Sequence, residues 1–442
     1  MFHLGWFLGD STGIHKWWGE WASSNGTDWM KPDIYLDLAT SLERGGFDLM
    51  FIEDTAMLED TYGGSLDMTL RYGMMAPKND PMPYIPLMAQ ATKHLGLVGT
   101  VSTIQYPPYL AARQAVTLDH LTNGRSGINV VTSVSHRVAQ NFGYDRHLAH
   151  AERYAMADEW MRVVSALWES WDPDAIVLDY EEPRYADYMK VHPINFEGKY
   201  FKCRGPLNTI PGPQRRPVVA QAGNSEPGRE LAAAHADVIL ALCKNPDEMK
   251  ALRQDFDRRL VAHGRKPSDL KILFMTIPVV AETDADAREV SRRLAAKRHD
   301  KDEIEMRLWG MSYASGGTID YLKYDLDGPV PQEIGTGETT TARAWLENSA
   351  QMTLRELVTG PFNYGMDFVG SFDTVAEQMG EAMEVAGGDG FLVYEPVTRH
   401  HIINITDGLC PALRRRGLIR SSYDYPTFRE NLLAFLSRTE SG

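Results

Sequence analysis

PVVAQAGNSEPGRELAAAHADVILAL, residues 217–242, runs from a short apolar stretch through a polar turn into an amphipathic segment and out into a second apolar stretch. The two apolar runs, 217–222 and 237–242, carry no polar alternation, as expected of strands covered on both faces. Between them, 226–235 reads as a helix, opened by Ser225 with Pro227 in its first turn. Strand, helix and next strand in so short a span are the βα rhythm of a parallel sheet.

The rhythm recurs on both sides of this stretch. Strands are predicted at 2–8 (FHLGWFL), 48–53 (DLMFIE), 95–101 (LGLVGTV), 126–132 (SGINVVT), 271–281 (KILFMTIPVVA) and 390–395 (GFLVYE). Helices are predicted over 33–45, 84–94, 108–121, 151–170, 246–263, 284–298, 372–386 and 399–416, with Asp33 and Asp284 as N-caps and the glycines 45–46 and 387–388 as stops. About eight βα units close on themselves, so the predicted fold is α/β, a (β/α)8 TIM barrel with loop insertions, spanning 1–442 as one domain.

Two segments break the rhythm. Residues 172–216 are rich in Pro and Tyr, with a hairpin turning at Glu197–Gly198; residues 299–350 mix Gly, Thr and charge, with GGT at 316–318 and GTGETTT at 335–341, and read as a flap. Both read as loops on the barrel rather than further domains.

The 442 residues, 43% hydrophobic and 24% charged, have an ordinary globular composition, and the net charge of −15 repels phosphate backbones and anionic lipid. Nucleic acid and membrane surfaces are therefore not expected partners. Three scattered cysteines (Cys203, Cys243, Cys410) argue for a reducing compartment, and the N-terminal MFHLGWFLGD lacks a basic leader, so the cytoplasm is the expected location.

Barrels of this kind place chemistry where strands end. The polar residues there are Asp10, Ser11, Glu53, Asp54, Thr100, Ser102, Asn129, Thr132, Ser133, Asn224, Ser225 and Glu395. Gly223, Asn224 and Ser225 at the start of helix 226–235 form an anion site, since backbone can approach at Gly223 and the helix start offers free amides; simple capping explains the same residues equally well. INVVTS at 128–133 gathers three hydrogen-bonding side chains at a strand end, where a Thr–Ser pair also simply terminates strands. HAERY at 150–154 sets His150 and Tyr154 on one helix face, toward a phosphate or toward solvent. No GxGxxG lies between a strand and a helix, no zincin or P-loop motif is present, and His400–His401 would diverge on a helix rather than share a metal. The WWGEW stretch at 17–21, with Trp29, overhangs the mouth of the first strand and suits packing or a flat aromatic ligand.

Taken together, GKYFKCRGPLN (198–208), the 217–237 stretch, INVVTS followed by AQNFG, HAERYAMADEW (150–160) and CPALRRRGLIR (410–420) resemble the nitrilotriacetate, dibenzothiophene-sulfone and long-chain alkane monooxygenases, a branch of the bacterial luciferase-like flavoproteins. The resemblance covers most of the chain. It implies a barrel of the bacterial luciferase type binding FMN at its C-terminal mouth, as a homodimer or homotetramer, with reduced FMN delivered by a separate NAD(P)H:flavin reductase and O2 as the other cosubstrate. By motif, Asp54 matches an acid near the isoalloxazine; Thr100 and Asn129 match the pair beside the flavin's reactive edge that holds oxygen. Thr132, Ser133, Tyr154, Gly223, Asn224 and Ser225 match the ribityl and phosphate shell, with His150 and Arg153 close by. The flavin performs the oxygen transfer while the protein must orient it and exclude water, which otherwise diverts the reaction to hydrogen peroxide. Ser11, Met75, Val134 and Tyr313 replace pocket residues of the alkane-hydroxylating relatives, so a planar aromatic or heteroaromatic substrate is expected in place of an alkane. A deazaflavin- or flavin-dependent dehydrogenase and a flavin-binding protein without turnover are the competing readings.

Overall fold

The computed structural model describes residues 1–9, 17–18, 26–337, 339–347, 349–361 and 365–434. Eight strands are arranged in chain order around one barrel: β1 (His3–Leu8), β2 (Leu49–Ile52), β3 (Gly96–Ser102), β4 (Ser126–Val131), β5 (Val218–Ala222), β6 (Val238–Ala241), β7 (Lys271–Thr276) and β8 (Gly390–Val393). Each pairs in parallel with the next, and β8 pairs with β1 to close the ring. Register sets Thr100 opposite Asn129 on β3 and β4.

The uninterrupted apolar runs have two destinations. Leu49, Phe51, Val98, Val218, Ala220, Val238, Leu240, Leu273 and Leu392 fill the barrel interior, while Leu4, Trp6, Met50, Ile52, Val219 and Ile239 face the surrounding helices. Phe428 and Leu432, from the helix Phe428–Leu433, join the interior cluster. A Cβ at Gly96, the first residue of β3, would stand 2.4 Å from the Phe428 ring, so the C-terminal helix plugs the end of the barrel where strands begin. That leaves the opposite end as the mouth.

Several expectations are corrected. The run 271–281 is not one strand: β7 stops at Thr276, and Val279–Ala281 pairs instead with Val369–Ser371 in a separate two-stranded sheet. Pro278 has no N–H to give a ladder, so the strand breaks there. The 399–416 helix is broken into Arg399–Ile403, a π-helical turn at Asn404–Leu409 and Cys410–Arg415, the last with Pro411 in its first turn. Asp33 and Asp284 are not caps but first-turn residues. Thr283 caps the second helix, its Oγ1 accepting from the Asp286 amide at 3.2 Å, and Pro32 precedes the first.

The two insertions carry more structure than loops. Within 172–216, Ile176–Asp179 pairs with Arg184–Ala186 and Phe196–Glu197 with Lys202–Cys203, both antiparallel. The second hairpin is held from below: Glu159 accepts from the amides of Lys199, Tyr200 and Phe201 at 2.9, 2.7 and 2.7 Å. Within 299–350 lie the helices Lys301–Ala314 and Thr339–Leu346. Ile304, Leu308, Trp309 and Tyr321 build a second apolar cluster with Tyr62 and Met68, from the connection that follows β2. Trp309 Nε1 donates to Thr69 Oγ1 at 2.9 Å and the Tyr72 hydroxyl to Asp302 at 2.7 Å, fastening this segment on the mouth side. Among the described residues, no helix is long and apolar enough to cross a membrane.

Candidate active site at the barrel mouth

Alternation along β3 and β4 turns Thr100 and Asn129 into the barrel, one layer above Val98 and Gly127. Both are buried, at 5% and 2% exposure. The Thr100 hydroxyl donates to Ile52 O at 2.7 Å, so the bond between it and Asn129 at 2.9 Å must run from Asn129 Nδ2 to the Thr100 oxygen. This fixes the amide: Asn129 Oδ1 is the outward end, buried and without a partner among the described residues. A layer higher, Ser102 Oγ and Ser133 Oγ are 2.7 Å apart, and Ser133 sits at a φ of +58°, a left-handed conformation that a residue with a Cβ adopts only when its surroundings enforce it.

Where β2 ends, Glu53 takes an ion pair from Lys78 at 2.6 Å, and burial holds the carboxyl of neighbouring Asp54 up at about 6, against the pull of Lys78. Asp54 opens onto a cavity of about 550 Å³ whose walls include Met57, Leu58, Pro77, Tyr106 and Phe142, with Lys78, Asn79, Asp80 and Gln105. Met74 and Met75 lie elsewhere, half-buried against the 299–350 cluster together with Tyr313.

The turns after β4 and β5 meet through Tyr154. Its hydroxyl lies 3.5 Å from Ser225 Oγ, and a Cβ on Gly223 would stand 2.7 Å from Gln221 Nε2 and 3.3 Å from the same hydroxyl. Ser225 is itself the N-cap of Glu226–His235, accepting from Gly228 N at 3.2 Å. Because Pro227 has no N–H and Gly228 is capped, this helix start offers fewer free amides than its position alone implies. His150 lies beside Tyr154 with ring centroids 5.0 Å apart, and burial lowers its pKa. Asn224 turns away: its Nδ2 donates to Leu242 O at 3.2 Å, at the exit of β6, while its Oδ1 is buried without a partner among the described residues. Thr132 contributes its carbonyl, which accepts from His147 Nε2 at 2.9 Å; the His147 Nδ1 accepts from Leu148 N at 3.0 Å. Those two bonds require a neutral ring, and burial with Arg153 nearby pushes its pKa down to about 4.

The structure thus joins Thr100 with Asn129, and Tyr154 with Ser225 and Gly223, and leaves Asp54 on a separate wall. Asp10 and Ser11 lie outside the described residues, as do residues 19–21 of the Trp-rich stretch; Trp17 Nε1 donates to Tyr72 O at 2.9 Å. His400 and His401 bond to Asn404 and Thr398. Among the described residues, no group of three or more His, Cys, Asp or Glu is placed to hold a metal ion. His147, Lys78 and Gln221 were not expected. All three are polar residues whose spacing says nothing until the βα loops are folded over the mouth.

A closed parallel barrel with Thr100, Ser102, Asn129 and Ser133 at its strand exits has the architecture of the α/β-barrel enzymes, which place their chemistry at that end. The chain belongs to the luciferase-like monooxygenase family, whose model matches residues 18–390, and it is a flavin-dependent monooxygenase. It is 34% identical over 448 residues to the dibenzothiophene-sulfone monooxygenase of Rhodococcus erythropolis (strain XP), covering 98% of this chain and 96% of that one. Among solved structures, that of long-chain alkane monooxygenase superposes with a TM-score of 0.84 at 33% identity, covering 98% of this chain and 95% of the other. A riboflavin lyase with modified FMN and riboflavin superposes with a TM-score of 0.86 at 29% identity, covering 99% and 96%.

Proposed function

We propose that this protein is the oxygenase component of a two-component system, binding reduced FMN at the barrel mouth and using O2 to oxidise a small, uncharged aromatic or heteroaromatic molecule. One observation carries the flavin reading: Asn129 Oδ1 is a buried acceptor with no partner among the described residues, on an amide whose orientation Thr100 fixes. A buried polar atom of this kind is costly unless a ligand satisfies it. The rim at Gly223, Tyr154 and Ser225 fits the nucleotide's tail, since any side chain at Gly223 would crowd the Tyr154 hydroxyl. Thr132 and Ser133 would line the ribityl chain, and His150 the phosphate side. Asn224 would contribute through its backbone, because its side chain is engaged at Leu242.

Bound reduced FMN supplies the electrons for oxygen activation and transfer. The residues of this chain orient and enclose. Asn129 and Thr100 hold a fixed pair of polar atoms at the reacting edge. Asp54, protonated at and below about pH 6, can hold or release a proton on the cavity wall. The segment 299–350, seated on the connection after β2, keeps water from the mouth.

Two features of the cavity support an uncharged substrate. Its walls carry Tyr106, Phe142, Met57 and Leu58, and its one lysine, Lys78, is already paired with Glu53 while Asp54 and Asp80 remain. A polyanion would meet no available cation among these lining residues. The three cysteines are free, consistent with work in a reducing cytoplasm. The exposed side chains of Tyr180 and Tyr185 on the first hairpin, with Tyr188 and Met189 in the short turn that follows it, support self-association as a homodimer or homotetramer.

The test is anaerobic titration with reduced FMN, followed by turnover with a generic NAD(P)H:flavin reductase against ring sulfones, N-heterocycles, halogenated phenols and flavins. Saturable binding and O2-dependent product formation are expected. Absence of binding defeats the flavin assignment, and substrate oxidation without O2 makes the protein a dehydrogenase.

A further inference from the structure

The hairpin formed by Ile176–Asp179 and Arg184–Ala186 is covered by little of its own chain. Its pairing is confined to Ile176 with Ala186 and Asp179 with Arg184. Val177, Leu178, Tyr180 and Tyr185 are 43, 45, 88 and 62% exposed, and Tyr188 in the turn that follows is 80% exposed. A two-stranded hairpin is marginal in water by itself, and apolar side chains on so small an element have no core of their own to join. Its root is nevertheless fixed: Asp187 N donates to Ala175 O at 2.8 Å and Asp172 N to Lys190 O at 2.9 Å. The tip is fixed as well, since Asp179 Oδ1 accepts from the amides of Glu181 and Glu182 at 3.0 and 3.1 Å. The result is a preformed apolar arm ending in two carboxylates.

Beside the root runs a groove of about 660 Å³ and of the opposite charge, walled by Tyr109, Trp171, Lys202, Arg204, Pro206 and Asn208. Its walls are tied together: Trp171 Nε1 donates to Leu207 O at 2.8 Å and the Tyr109 hydroxyl to Pro206 O at 3.5 Å. Trp171 also bridges to Val191, just past the hairpin, so arm and groove share a border. Nearby charges are matched within the chain, Lys190 with Asp174 and Lys199 with Glu152. Among the described residues, Lys202, Arg204, Glu181 and Glu182 take no ion pair, and Arg204 Nη1 reaches only Gly205 O, at 3.4 Å. Two unmatched cations beside an aromatic wall select an acidic, aromatic occupant, and this chain itself carries one.

We propose that the hairpin arm of one copy docks in this groove of a second copy, with Glu181 and Glu182 meeting Lys202 and Arg204, and the arm's tyrosines meeting Tyr109 and Trp171. The proposal deepens the self-association reading above and rests on it. Because arm and groove border each other, a two-fold axis at that border satisfies both contacts at once, each arm lying across the other copy. Three tyrosines from each copy, at about 150–250 Å² apiece, approach the roughly 1,200–2,000 Å² of a stable interface.

Sedimentation of the whole chain over a concentration series measures the association. Lys202→Glu with Arg204→Glu sets carboxylates against carboxylates and is expected to raise the dissociation constant of one association step about tenfold or more; Glu181→Lys with Glu182→Lys does the same from the other side. The two weakened proteins mixed in equal amounts regain wild-type association, because each arm then meets a groove of opposite charge, a rescue that misfolded variants would not show. Carbodiimide cross-linking of wild-type protein, with light and isotopically heavy chains mixed at high dilution and reconcentrated, is expected to join Glu181 or Glu182 of one chain to Lys202 of the other. An oligomer that neither reversal weakens, that mixing does not restore, or whose Lys202 is joined to those glutamates only within one chain, overturns the placement of the contact while leaving self-association standing. A wild-type chain that stays monomeric throughout overturns both.

Discussion

Asn129 and Thr100 lie side by side on β4 and β3, joined at 2.9 Å, and because the Thr100 proton goes to Ile52 O the amide of Asn129 has only one orientation. A residue whose direction is set by a neighbour can be disabled without touching it. Thr100→Val keeps the side-chain shape but strands a buried Nδ2, an expected stability loss of about 1–3 kcal/mol. Asn129→Ala removes the acceptor itself and should lower coupled turnover by roughly a hundredfold, with FMN binding retained. Chemical denaturation and the ratio of product to O2 consumed check both; unchanged coupling in Asn129→Ala would remove that residue from the oxygen chemistry.

Asp54 predicts a pH dependence with a definite sign. Burial raises its carboxyl from the ordinary 3.8 to about 6, so the folded state holds the proton more tightly than the unfolded chain. That contribution to stability is fully present below pH 3.8 and is lost as pH rises through about 6. Asp54→Asn imitates the protonated form and should stabilise the protein at pH 8, on the order of 1–2 kcal/mol, with little effect at pH 4. Unfolding midpoints for the pair of proteins at the two pH values decide it; an equal gap at both contradicts the assignment.

Glu159 has the opposite sign. Three amides of the 199–201 turn hold its carboxylate below the usual range, against the effect of burial, so its contribution is present above pH 4.5 and fades as pH falls below that value. Glu159→Gln should cost about 1–3 kcal/mol at neutral pH and lose part of its disadvantage in acid. Gly198→Ala attacks the same contact from the other side, since its Cβ would stand 2.2 Å from Glu159 Oε1. Normal stability in that variant would show that the turn can retreat.

Ser225 and Tyr154 separate stability from binding. Ser225→Ala deletes an N-cap and should destabilise by about 1 kcal/mol while also weakening FMN. Tyr154→Phe removes a hydroxyl that caps nothing, so FMN affinity should fall with the unfolding midpoint almost unchanged. Calorimetric titration beside thermal unfolding tests the contrast, and loss of FMN affinity in neither variant would move the phosphate away from this rim.

The barrel was legible in the residues because a strand buried on both faces has no choice of composition: each of the eight apolar runs falls on a barrel strand within a few residues. Legibility failed where a single backbone atom decides. Pro278 ended β7 in the middle of a continuous apolar run, and Thr283, not the expected Asp284, capped the helix that begins at Asp284. The glycines at 316, 335 and 337 look the same in sequence whether they loosen a loop or, as here, let two backbones touch: Gly337 N donates to Ser315 O at 3.1 Å, and a Cβ on Gly335 would stand 2.0 Å from that oxygen.

The site divides in the same way. Hydroxyls, an asparagine and glycine-opened helix starts at strand exits follow from local sequence, since strand ends and helix ends have fixed needs. Their partners come from far along the chain: Arg153 reaches Thr336, Tyr154 reaches Ser225, and Asn224 turns to Leu242. The sequence by itself determined that polar side chains would be pushed to the ends of the strands of a closed parallel barrel, because both faces of every strand had to be apolar. Only the tertiary structure decided which of those groups are satisfied and which are left over, because a hydrogen bond between distant residues depends on where the barrel closes.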